Sequence, residues 1–305
     1  MMETIRLPPF PEAVEEWWWR QASSKWPDSS EEKLLNSIRK EIVEQSDRFN
    51  KTRDFESSSY GSRDLSILSY GNFFFPRTWQ AMSYALAEAY SFRDWKTPKK
   101  GPLRILDLGA GSGASGLACL FLLRHWRIEN PISLEAWDYS SKSLGILKSL
   151  HRACPDLWPD SKVMTKRKDL RYALSKEDSR QFDLVVMSFS LNEILESEEN
   201  EQKLVWLDQI TQYLKPNGFL IILEPAESEI CNNLQESSRI LTGESSQLYQ
   251  HGPYFNGLPC PLATSKSKYY SHEVRRLLPT GTMLKINAPL RLETRETKFG
   301  ISILG

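Results

Sequence analysis

Apolar residues recur at helical spacing through roughly the first hundred positions, then give way to short strand-like and helix-like runs in alternation. Leu34, Leu35, Ile38, Ile42 and Phe49 fall at helical intervals behind Ser29. Ser29 with Glu32 makes a capping box, in which the hydroxyl accepts from a backbone N–H and the carboxylate reaches back. A second helix is predicted over 78–91, with Trp79, Met82, Leu86 and Tyr90 on its apolar face. The intervening Tyr70-Gly71-Asn72-Phe73-Phe74-Phe75-Pro76-Arg77 reads as an aromatic loop. The run Trp17-Trp18-Trp19 could stack nucleic-acid bases, but packing against a core or a partner is the reading that helical spacing favours.

From Leu103 onward the period changes. Strands are predicted at 103–108, 132–137, 162–166, 183–189 and 218–223, separated by helices at 114–126, 140–151 and 198–214. Strands alternating with helices imply a parallel sheet covered on both faces. Two further strands are expected near 283–286 and 299–304, after an irregular segment from 243 to 268. The turn-rich Lys96-Thr-Pro-Lys-Lys-Gly-Pro102 reads as a linker. It divides the chain into a helical N-terminal region, 1–95, and an α/β domain, 96–305.

Composition changes this picture little. The 305 residues are 40% hydrophobic, enough for a sizeable core. Lysine plus arginine equals aspartate plus glutamate at 39 each, so global charge is no argument for nucleic acid. Cys119, Cys154, Cys231 and Cys260 stand apart without a CxxC pair, which signals neither a zinc site nor a disulfide framework. The opening residues carry no apolar signal core, and no run approaches the ~18 apolar residues of a membrane span. A cytoplasmic protein without membrane association is expected.

The chemistry concentrates in Asp107-Leu108-Gly109-Ala110-Gly111-Ser112-Gly113, between a predicted strand and helix. Glycines there let the backbone approach a ligand closely. The frame Gly111-x-Gly113-x-x-Gly116 also fits a dinucleotide fingerprint. Asp107 argues against that frame, because a carboxylate at the strand end suits an amino group and repels a pyrophosphate. Asp138 ends the next strand, where a carboxylate can accept both hydroxyls of a ribose. Asp169 follows the third strand, where it can accept from an adenine amino group. Three acids in successive strand-end loops fall on the carboxyl edge, where open α/β sheets bind ligands.

This order of elements and acids resembles the class I S-adenosylmethionine-dependent methyltransferases over about 103–226. The resemblance implies a Rossmann-like sheet, mostly parallel with an antiparallel last strand, carrying a helical N-terminal extension. It also implies S-adenosylmethionine as cofactor, held by Asp107, Gly109, Ala110, Gly111 and Gly113 of the loop. Asp138, Tyr139, Asp169 and Ser188 complete the expected cofactor set.

The loop after the fourth strand usually carries the acceptor chemistry of such enzymes. Here it is Ser188-Phe-Ser-Leu-Asn-Glu193, not the Asn/Asp-Pro-Pro-Tyr/Phe motif of many nucleic-acid amino-methyltransferases. Asn192 and Glu193 either cap the following helix or face the methyl donor as candidate catalytic residues. Pro259-Cys260 lies after the fifth strand rather than the fourth, which argues against Cys260 as a covalent nucleophile. Lys166-Arg167-Lys168 and Arg171 could meet phosphates, although a short basic run is more often a solvated face.

The strings Leu106–Gly113, Ser188–Ile194, Leu223-Glu-Pro225, Pro259-Cys-Pro-Leu262 and Lys298-Phe299 occur in this order. Together they resemble the mitochondrial small-ribosomal-subunit protein 22 family, also called methyltransferase-like protein 17, and its bacterial relatives, from about residue 60 to the C-terminus. The resemblance implies the small ribosomal subunit or its rRNA as partner. It also implies an iron–sulfur cluster on cysteines after the fifth strand. This sequence departs from that pattern: only Cys260 survives, and tyrosines stand where two other cysteines would be. A cluster needs about four thiolate-type ligands, so none is expected, and the tyrosines are expected to fill that volume by packing and hydrogen bonding. Three functions follow: a methyltransferase acting on rRNA or a ribosomal component, a non-catalytic assembly factor, or a small-molecule methyltransferase with a helical lid over 1–95.

Overall fold

The computed structural model describes residues 7–47, 63–172, 181–195, 200–243, 246, 248–254, 260–262, 269–290 and 294–305. Five parallel strands form most of one sheet: β1 (Leu103–Leu108), β2 (Ile132–Asp138), β3 (Ser161–Arg167), β4 (Phe182–Ser188) and β5 (Leu214–Pro225). The last strand, β8 (Glu296–Leu304), runs antiparallel to β5, and β6 (Gln250–Gly252) and β7 (Glu273–Arg276) pair antiparallel with β8. The spatial order is β3-β2-β1-β4-β5-β8-β6. The chain winds outward from β1 to β3, then crosses back to β4 on the other side of β1. This reversal opens a crevice at the carboxyl ends of β1 and β4. Burial along the strands follows position. Central β4 is buried at six of its seven positions, whereas edge strand β3 alternates partly buried and exposed residues.

Helices α4 (Ala114–His125), α5 (Ser141–Ala153), α6 (Leu191–Ile194), α7 (Asn200–Thr211) and α8 (Ser228–Leu241) fill the crossovers and the segment after β5. The mixed sheet and its helical cover agree with the expected Rossmann-like architecture. The 198–214 helix is shorter than its hydrophobic pattern suggests, because Leu214 already pairs with Phe182 in the sheet.

The N-terminal part holds α1 (Glu12–Lys25), α2 (Glu31–Asp47) and α3 (Asp64–Phe92). One buried apolar cluster runs from Val14 and Trp18 of α1, through Ile38 and Phe75, to Leu117 of α4 and Ile105 of β1. Three expectations are corrected here. First, the aromatic stretch 70–77 is not a loop but the middle of the 29-residue α3. Pro76 removes a helical donor, at a cost of about 3 kcal/mol. Phe73, Phe75 and Trp79 are each at most 8% exposed, and burying a side chain of that size gives about 1.5–3 kcal/mol, so packing outweighs the break. Second, Ser30 rather than Ser29 caps α2: the Lys33 N–H donates to Ser30 Oγ at 3.3 Å. Phe49, assigned to the same helix from its spacing, lies outside the described residues. Third, 283–286 belongs to a helix, α9 (Gly281–Asn287), whose first turn is capped by Thr280 Oγ1 accepting from Met283 N at 3.2 Å.

The tryptophan run is a packing device. Trp18 is 1% exposed, meets Phe75 edge-on at 5.3 Å between centroids, and lies directly over Gly71. A Cβ at Gly71 would stand 2.1 Å from Trp18 Cε3, so only glycine allows α1 and α3 to approach this closely.

Candidate cofactor and acceptor site

The glycine loop leaves β1 at the crevice. Gly109 and Gly111 take φ of +69° and +51°, a left-handed backbone that disfavours other residues. The N–H groups of Gly109 and Ala110 both donate to Trp137 O, at 2.9 and 3.0 Å, which ties the loop to β2. A Cβ at Gly109 would meet Ser190 Oγ at 2.5 Å, whereas one at Gly111 would meet nothing within 4 Å. Gly111 therefore presents bare backbone to open space. Gly113 has another place: it caps α4 at φ +90° against Leu147 and does not line the cavity.

Asp138 organises the turn opposite. Its Oδ2 accepts from Gly111 N at 2.8 Å and its Oδ1 from Ser140 N at 2.7 Å. Burial raises its pKa, and these two donors partly offset the shift. Asp107, 1% exposed, accepts from Gly116 N at 2.9 Å. Burial, aided by the charge of Asp138, pushes its pKa up to about 7 against the pull of the Gly116 N–H. Asp169 instead faces Arg171, which grips it with two side-chain bonds at 3.0 and 2.6 Å and holds its pKa below the ordinary value. Lys168 N donates to Asp138 O at 3.0 Å, joining the second and third strand-end loops.

The loop after β4 is held on two sides. Ser190 Oγ donates to Leu108 O at 3.2 Å. Leu191 N and Asn192 N donate to the two carboxylate oxygens of Glu224 at 2.9 and 3.3 Å. Phe189 turns through φ +56°, and Ser188 Oγ accepts from Ser115 Oγ at 2.7 Å. Glu224 thus supplies the capping bonds for the turn that starts at Leu191. Asn192 and Glu193 also line the cavity, and Asn192 Oδ1 is buried with no hydrogen-bond partner among the described residues.

These loops surround one cavity of about 880 Å³, within the range of small-molecule sites. Asp107, Gly109, Ala110 and Gly111 line it. So do Asp138, Tyr139, Asp169 and Ser188. The opposite wall comes from α2, α3 and α9, and holds residues that the sequence reading did not assign to a site, among them Tyr70, Phe73, Phe74 and Arg77. Their spacing of i, i+3, i+4 and i+7 is a helical stripe. It was readable only if 70–77 was taken as helix.

Residues 78–258, more than half of the chain, match the methyltransferase-domain family. The chain belongs to this family. Two similar solved structures are the citrinin polyketide synthase CMeT domain and an O-methyltransferase family protein from Burkholderia thailandensis. The first shares 16% identity over 73% of this chain and 64% of that one, with a TM-score of 0.40. The second shares 14% over 88% and 71%, with a TM-score of 0.45. The chain thus spans about 64% of the length of the first. None of the curated proteins compared matches the chain.

The residues lining the cavity fit the S-adenosylmethionine expected from the sequence. Gly111 leaves backbone open to a ligand, and Asp138 is a buried carboxylate on the cavity wall with acceptor capacity for ribose hydroxyls. Asp107 can receive an ammonium, and Asp169 an adenine amino group.

Among the described residues, no helix is long and apolar enough to cross a membrane, and no group of three or more His, Cys, Asp or Glu is placed to hold a metal ion. Cys260 is buried with its Sγ 2.9 Å from the Tyr254 hydroxyl, and the Tyr270 hydroxyl donates to Ala226 O at 2.7 Å.

Proposed function

We propose that this protein transfers the methyl group of S-adenosylmethionine to an acceptor held between the β4 loop and the α2–α3 wall. The observation that carries this reading is the single cavity joining the Asp138 cradle to Asn192 and Glu193. When bound, the cofactor supplies an electrophilic methyl carbon. Asp138, braced by the Gly111 and Ser140 N–H groups, would hold the ribose, and Asp107 the amino group. Methyl transfer needs in-line alignment above all. Glu224 and Ser190 provide for it by fixing the backbone that presents Asn192. Asn192, beside the cavity, would help position the acceptor, and Glu193 would take up a proton where the nucleophile needs a base.

For the acceptor we propose ribosomal RNA or a component of the assembling small ribosomal subunit. Support comes from the strings that resemble the small-subunit protein 22 family. Ser188, Pro225 and Lys298, drawn from three of them, all line this cavity although they are far apart in sequence. A small-molecule acceptor is the second reading, supported by the enclosing helical wall. A non-catalytic assembly factor would have no need of an intact cofactor loop. Incubation with tritium-labelled S-adenosylmethionine and small subunits from a strain lacking the gene tests the first reading. Label in rRNA or a subunit protein is expected. Absence of label, together with failure to co-sediment with subunits, would leave the small-molecule reading.

A further inference from the structure

Among the described residues, the wall facing the cofactor cradle carries a cation without a counter-charge. Arg77 lines the cavity and is only partly exposed. Its contact within the described residues is the face of Phe73, with Cζ 5.6 Å from the ring centroid, and no ion pair or hydrogen bond engages it there. The other cations on this side are already occupied. Arg39 Nε donates to Ile286 O at 2.9 Å, and Lys298 Nζ lies 3.7 Å from Glu296. Desolvation lowers the Arg77 pKa, and no anion among the described residues acts against it. An unpaired, desolvated guanidinium opposes folding, so its place in the wall calls for a compensating anion.

Its neighbours on the stripe narrow the choice. Tyr70 and Phe74 are stacked, with centroids 6.1 Å apart at 27°, and Phe73 stands edge-on to Phe74 at 5.1 Å. Aromatic side chains of this kind receive a planar group, and a guanidinium receives a phosphate or carboxylate through paired donors. We propose that the α3 stripe Tyr70–Phe73–Phe74–Arg77 is the acceptor-recognition subsite, and that it selects a planar aromatic group bearing a phosphate or carboxylate. The proposal rests on this cavity being the acceptor site. A nucleotide and a small aromatic acid share this chemistry.

The test uses the full chain saturated with S-adenosylhomocysteine. Two matched probe pairs are titrated by calorimetry: uridine 5′-monophosphate against uridine, and benzoate against benzyl alcohol. At least one anionic member is expected to bind about tenfold or more tightly than its neutral counterpart, in line with a charge-assisted hydrogen bond. The pair that shows the preference identifies the source of the anion. Arg77→Leu should abolish the preference and Arg77→Lys should keep part of it. Both should leave S-adenosylhomocysteine affinity within about twofold and the melting temperature no lower. No preference in either pair, or a preference that survives Arg77→Leu, overturns the proposal. So does a lowered melting temperature in both Arg77→Leu and Arg77→Gln, which would assign Arg77 to the scaffold. Failure of S-adenosylhomocysteine itself to bind would instead count against the proposed function.

Discussion

Glu224, at the end of β5, accepts the Leu191 N–H at 2.9 Å and so fixes the start of the loop that presents Asn192 to the cavity. Its carboxyl is buried, and desolvation raises its pKa to about 8 despite the backbone donors that favour the charged form. The unfolded chain would lose this proton near the ordinary 4.5. Between those values the folded state binds more protons than the unfolded one, so stability falls as pH rises. Glu224→Gln should therefore flatten the decline in melting temperature between pH 5 and 8. It should also remove one backbone bond, costing about 1–3 kcal/mol at pH 5. Thermal melts across that range check both effects; an unchanged slope would contradict the assignment.

Asp107 predicts a second pH dependence, this time in binding. With its pKa near 7, the carboxyl is largely protonated at pH 6, and receiving a cationic amino group requires that proton to leave. Affinity for S-adenosylmethionine should drop up to about tenfold per pH unit below 7 and level off above it. Asp107→Asn should bind more weakly at pH 8 and lose the dependence. Calorimetry in buffers of different ionisation enthalpy should detect the proton released at pH 6.

Gly71 makes the packing of α1 on α3 testable apart from the site. Gly71→Ala places a Cβ 2.1 Å from the Trp18 ring, and overpacking of this kind costs about 1–3 kcal/mol. Denaturant titration should show that loss. Trp18→Ala combined with Gly71→Ala should lose less than the sum of the two single changes, because removing the indole removes the clash.

The parts that were legible in the sequence are those whose signal is local. Leu103–Leu108 is a strand buried on both faces whose four apolar residues are interrupted by Arg104 and Asp107, and the glycine spacing after it follows from backbone approach alone. Asp138 and Asp169 were legible because the first closes its strand and the second stands two residues past the end of the next. The α3 stripe was hidden by Pro76, a local helix breaker overruled by the burial of Phe75 and Trp79. The 283–286 run was misread because a short apolar stretch fits a strand or a helix equally, although Thr280 two residues before Thr282 offered a cap. The part played by Glu224 depends on β5 lying beside β4, a pairing between residues more than thirty positions apart that no local pattern records.

The central claim is that the Asp138 cradle holds S-adenosylmethionine. Calorimetric titration of the cofactor into the wild-type protein and Asp138→Ala at pH 8 tests it most directly. The wild type should bind at a single site. Hydrogen bonds to a charged acceptor contribute about 1.5–3 kcal/mol, so the variant should bind about tenfold to a hundredfold more weakly while keeping a cooperative melt. Equal affinity in the two proteins, or no binding by the wild type, would contradict the account.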